Sequence, residues 1–260
     1  MPSLHPRSRI APALVAVALL AACGSDGSSS DTTAGPSTET AVTSPETTPT
    51  STPSSGSASS PGSASSTSAP VTLEQPAIFP AADVVYATPE EAATAFVTEV
   101  LDVPVNLGEF RAGDSRSGEI DVRFAGEGGA GPGVVRTVLL LRQLGPDDGW
   151  FVLAAVNDAA SITSPAQGDA VPPGPFTLSG KARGFEGAVT VTASVAGHPE
   201  QVLDTEQAIA GSLETPEPFS VPLDLSQAAP GSTVMLMIRG GVGLETDPGE
   251  TGAIAVTVAG

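Results

Sequence analysis

Val189-Thr190-Val191-Thr192-Ala193-Ser194-Val195 places Val189, Val191 and Val195 on one face and Thr190, Thr192 and Ser194 on the other. A period of two is the signature of a strand with one buried side. The pattern recurs on both sides of this stretch. Phe176 and Leu178 alternate with Thr177 and Ser179. Phe219, Val221, Leu223 and Leu225 alternate with Ser220, Pro222 and Asp224. Val234, Leu236 and Ile238 form another run, and Ile254, Val256 and Val258 the last. Val171 and a weaker run over Val202–Ile209 bring the number to about seven short strands at regular spacing, which predicts an all-β immunoglobulin-like sandwich over residues 161–260. Pro222 has no N–H to give a ladder, so its strand belongs at an edge. A Cys–Trp–Cys core of the antibody type is excluded, because the one Cys is Cys23 and the one Trp is Trp150.

Residues 73–160 read differently. Thr88-Pro89-Glu90-Glu91 is a helix start, with Thr88 as N-cap, Pro89 in the first turn and Glu91 closing a capping box. Ala92, Ala95, Phe96 and Val100 recur at helical spacing, and Pro104 ends the helix near Leu101. Four strand-like runs follow: Val105–Arg111, Glu119–Phe124, Val134–Leu144 and Trp150–Val156, the last two joined by a Gly-Pro-Asp-Asp-Gly turn. The fold class is therefore an α+β unit, one helix on a four-stranded antiparallel meander, followed by the sandwich. The connection Ala159–Pro165 is short and built of small residues, so the C-terminal unit is expected to fold alone. Trp150, close to the boundary, is the best candidate for a shared core.

The N-terminal region has another character. Arg7 and Arg9 precede an apolar run from Ile10 to Leu20, too short to span a bilayer, and Leu20-Ala21-Ala22-Cys23-Gly24 follows. This resembles the lipobox of bacterial lipoproteins, which implies a signal peptide over residues 1–22 and a lipidated Cys23. Two acyl chains on one thioether give stable anchoring, so the implied location is the extracytoplasmic face of the cell membrane, with the bilayer as a partner through acylated Cys23. Residues 23–72 are almost wholly Ser, Thr, Pro, Gly and Ala, and cannot bury enough apolar surface to offset their ordering entropy. A disordered linker with ends roughly 35–42 Å apart is expected, of a composition that also suits O-glycosylation.

Ile162-Thr163-Ser164-Pro165, Gly168, Val171 and Phe176-Thr177-Leu178-Ser179-Gly180-Lys181-Ala182-Arg183-Gly184-Phe185-Glu186-Gly187 resemble the immunoglobulin-like domain family of bacterial spore germination. The resemblance covers the C-terminal unit and implies a sandwich in an exported envelope protein. The upstream unit, with Gly113-Asp114-Ser115-Arg116-Ser117-Gly118-Glu119, resembles a module that accompanies such domains in actinobacterial lipoproteins.

Charge and residue type narrow the function. The formal charge is −19, and loss of Arg7 and Arg9 with the signal peptide takes it to −21. That balance opposes nucleic-acid binding, which relies on Lys and Arg at phosphates. His198, the one histidine beyond the signal peptide, lies in a Gly-His-Pro turn, which leaves no base paired to a nucleophile. Asp147-Asp148 fits a hairpin turn, and Gly240-Gly241-Val242-Gly243 lacks the Lys-Ser/Thr of a phosphate loop. No catalytic residue, metal ligand set or cofactor is assigned. The expected function is a non-catalytic binding or scaffolding module that meets an envelope protein. The alternative is a wall-acting hydrolase or transferase using scattered carboxylates, which the single Trp and single Tyr oppose, since sugar sites display aromatic platforms. The expected contact surface is the loop Gly240–Gly252, exposing Glu245, Asp247 and Glu250 to a basic partner, with Met235 and Met237 beside it. Met235 and Met237 also suit plain packing against the first unit. The three acids offer oxygen ligands for calcium but lack a recognised loop spacing.

Overall fold

The computed structural model describes residues 72–260 other than 127, 128, 130, 213, 242 and 243. Cys23, the signal peptide and the linker as far as residue 71 lie outside the described residues. Residues 72–260 fall within one compact unit.

Helix α1, Pro89–Phe96, begins on the expected capping box. Thr88 Oγ1 accepts the Glu91 N–H at 3.2 Å, and the Glu91 carboxylate accepts the Thr88 N–H at 3.2 Å. The helix widens into a π-helical turn, Val97–Leu101, and stops at Asp102 in the left-handed conformation, with φ 52°. Five-residue spacing sets Leu101 beneath Phe96, so Ala92, Ala93, Phe96, Val97 and Leu101 form the buried stripe. Ala95 and Val100, expected on that stripe, are left at its margin.

Strands β1 (Arg111–Ala112), β2 (Ser117–Phe124), β3 (Val134–Leu144) and β4 (Gly149–Val156) form the meander. The run expected as a strand over Val105–Arg111 is mostly irregular. Only Arg111–Ala112 pairs regularly, while Gly108 N–H and Asn106 C=O bond to β2 at 2.8 Å each. The C-terminal part contributes β5 (Ala160–Ser164), β6 (Ala170–Val171), β7 (Pro175–Ala182), β8 (Ala188–Val195), β9 (His198–Ile209), β10 (Glu217–Asp224), β11 (Thr233–Gly240) and β12 (Thr251–Val258). β10, β7 and β5 make the smaller sheet, and β10, which carries Pro222, is at its edge. The larger sheet runs β1-β2-β3-β4-β12-β11-β8-β9, with β6 parallel to β12.

That order crosses the boundary expected at residues 160 and 161. β4 meets β12 at Ala155 and Ala253, so meander and sandwich share one sheet. The strands then splay, and two insertions fill the gap. The Gln167 side chain donates to Leu153 C=O at 3.2 Å and accepts the Ala255 N–H at 2.8 Å. Farther along, the Ile78 and Phe79 N–H groups donate to Val152 C=O at 2.9 and 3.3 Å, and the Gly197 N–H donates to Ile78 C=O at 2.9 Å. Gly197 has φ 77°, and a Cβ there would lie 2.2 Å from Ala81 N, so this close crossing requires glycine.

The two faces of β11 serve different cores. Val234, Leu236 and Ile238 join Leu178, Val191, Phe219 and Leu223 between the two sheets. Met235, with Ala253 and Ala255 of β12, joins Ile78, Phe79, Phe96, Leu101 and Val152 beneath the helix. The shared core therefore lies in Met235 and the alanines. Trp150 belongs to the same cluster, but its ring packs edge-to-face on Phe110.

Candidate functional site

The chain leaving β11 returns to β12 through a loop that is more deeply held than its sequence predicts. Glu245 is exposed as expected, but Asp247 and Glu250 are buried, at 2% and 8% exposure. Asp247 accepts from Arg136 Nε at 2.9 Å and Nη2 at 2.5 Å, and from the Gly249 N–H at 2.9 Å. Glu250 takes Arg183 at 2.9 Å, Arg136 at 3.3 Å and the Asn157 amide at 2.6 Å. Arg136 and Asn157 belong to the meander side and Arg183 to the sandwich, so the two carboxylates fasten the halves together. The expected display of three acids to a basic partner is thus corrected for Asp247 and Glu250: their charges are already matched by arginine.

Met235 is buried in the helix-side core and Met237 packs at its margin, which settles Met235 as a packing residue. Val242 and Gly243, in the same loop, lie outside the described residues. His198 begins β9 at the surface, beside Glu200 at 3.4 Å. Asp148 has φ 51° in the β3–β4 turn, the role its sequence context predicts. Among the described residues no group of three or more His, Cys, Asp or Glu is placed to hold a metal ion.

Arg239 is the last residue but one of β11, and among the described residues its guanidinium donates to backbone only. Nε donates to Pro248 C=O at 2.6 Å, Nη2 to Asp247 C=O at 3.2 Å and Nη1 to Leu101 C=O at 3.2 Å. It thereby ties the end of the helical segment to the acidic loop, a favourable place for a cation because unpaired carbonyls concentrate there. Burial pulls its pKa below the usual arginine value, while the charges of Asp247 and Asp102 act in the opposite sense.

Beside Arg239 opens a cleft of about 700 Å³. It is lined by Leu101, Asp102 and Pro104 from the end of the helical segment, by Leu244–Asp247 from the loop, and by Thr190, Gly240 and Gly241. Sequence reasoning found the loop but missed Arg136, Asn157, Arg183 and Arg239. One signal was available: with 10 Lys and Arg against 29 acids, an arginine inside or closing an apolar strand run needs a dedicated partner.

Comparison with known proteins bears on the C-terminal part. Residues 159–239 match the family described as the immunoglobulin-like domain of bacterial spore germination. The match stops at Arg239, before β12, the strand that joins the sandwich to the meander. No curated protein matches the chain.

Proposed function

We propose that this protein is a membrane-anchored extracytoplasmic lipoprotein, working as a non-catalytic binding or scaffolding module for a protein partner in the cell envelope. The observation that carries the binding reading is the immunoglobulin-like domain at residues 159–239, joined to a second module so that both parts line an open cleft. Two of the acids that a carboxylate mechanism would draw on, Asp247 and Glu250, are bound by arginines, which supports the non-catalytic side of the reading. The lipobox-like Leu20-Ala21-Ala22-Cys23 supports the anchor. Cys23→Ala is expected to abolish palmitate labelling and to release the protein from membranes; unchanged labelling would refute the anchor. Crosslinking in whole cells is expected to capture an envelope protein at the cleft face. Turnover of wall fragments by the purified protein would refute the non-catalytic reading.

A further inference from the structure

Seven arginines lie among the described residues, and six of them have a carboxylate within 4 Å: Arg111, Arg116, Arg123, Arg136, Arg142 and Arg183. Arg239 is the exception. Its three hydrogen bonds go to neutral carbonyls, and a guanidinium has five N–H groups. One N–H on each of Nη1 and Nη2 is uncommitted among the described residues, and the side chain lines the cleft. Asp247 and Asp102 act on it only from beyond 4 Å, and a ligand carboxylate accepting from an uncommitted N–H would add the direct charge-assisted bond that it lacks.

A simple anion does not suit the cleft. Asp102 and Glu245 both line it, both exposed and neither bonded to a cation among the described residues. A simple cation would meet Arg239. The lining therefore selects a molecule carrying both charges. Leu101, Pro104 and Leu244 add apolar wall between the charged groups. The volume lies within the range of small-ligand sites.

We infer that this cleft receives the free ends of a short peptide, the carboxylate on Arg239 and the ammonium with the exposed acids Asp102 and Glu245. The inference rests on the binding-module reading and gives it a ligand class.

Calorimetric titration of the full chain with tetra-alanine tests it. Saturable binding is expected, and N-acetylated or C-amidated tetra-alanine should each bind at least ~10-fold more weakly, the loss of one charge-assisted contact. Arg239→Gln should remove the preference for a free carboxylate. Because that change also unties Leu101 from the loop, Asp102→Asn with Glu245→Gln provides a second arm. Both positions are exposed, and Asn tolerates the left-handed backbone at residue 102. The double variant should lose the preference for a free ammonium while unfolding as the parent does. The inference is overturned by no saturable binding up to about 10 mM, by equal affinity for free and capped peptides, or by a double variant that still discriminates. Any of these would leave capture of an envelope protein by crosslinking unaffected, so the two readings fail separately.

Discussion

Asp247 shows how far a residue's role depends on what the fold brings to it. In the sequence it is one of three acids in a glycine-bearing loop. In the structure its side chain is 1% exposed and gripped by Arg136, which is 111 residues away in the chain. Removing one partner of such a pair strands the other charge in a poorly solvated place. Asp247→Asn is therefore expected to cost about 3 kcal/mol in urea unfolding, whereas Glu245→Gln should stay within about 0.5 kcal/mol. Equal, small effects would show that the Arg136 pair is unimportant. Neutralising Glu245, Asp247 and Glu250 together would confound binding with unfolding, so a test of the cleft has to leave the two buried acids intact.

Among the elements, the helix start and most strands were legible because their signals are local. Thr88-Pro89-Glu90-Glu91 specifies its cap within four residues, and Val134–Leu144 is a strand with the expected bounds. Two things were not legible. The π-helical turn at Val97–Leu101 alters which residues face inward, and no local rule announces it. The partner of each strand is also a long-range choice: β11 presents Leu236 to one core and Met235 to another, and alternation alone does not say that both faces are covered. The cleft was half legible for the same reason. Its loop carries turn residues, while Arg239 looks like the end of a strand until Leu101 is placed beside it. The splayed junction between β4 and β12 gives an element-scale prediction. Gln167→Ala should cost about 1 kcal/mol and speed hydrogen exchange at the Ala255 amide, which loses its acceptor. An unchanged exchange rate there would mean that the side-chain bridge does not hold the junction.

For the molecule as a whole, the shared sheet bears on independence. Residues 161–260 alone would bare Met235, Ala253 and Ala255 and leave Asp247 and Glu250 without Arg136 and Asn157. Independent folding of that piece, expected from the short connection at 159–165, is not what the paired strands support. We expect the piece to show no cooperative transition, and residues 72–260 to unfold in a single one by both fluorescence and circular dichroism. A sharp transition in the isolated piece would restore the view of two autonomous domains. The position of β12 also has a consequence in time. It lies between β4 and β11, near the middle of the larger sheet, yet it follows all the other described strands of that sheet in chain order. A chain emerging from its N-terminus makes every other strand before the one that joins them. Until residues 251–258 appear, β4 and β11 both offer bare ladders to whatever strand is near. Synthesis interrupted before Thr251 therefore yields two unfinished sheets, not a finished half.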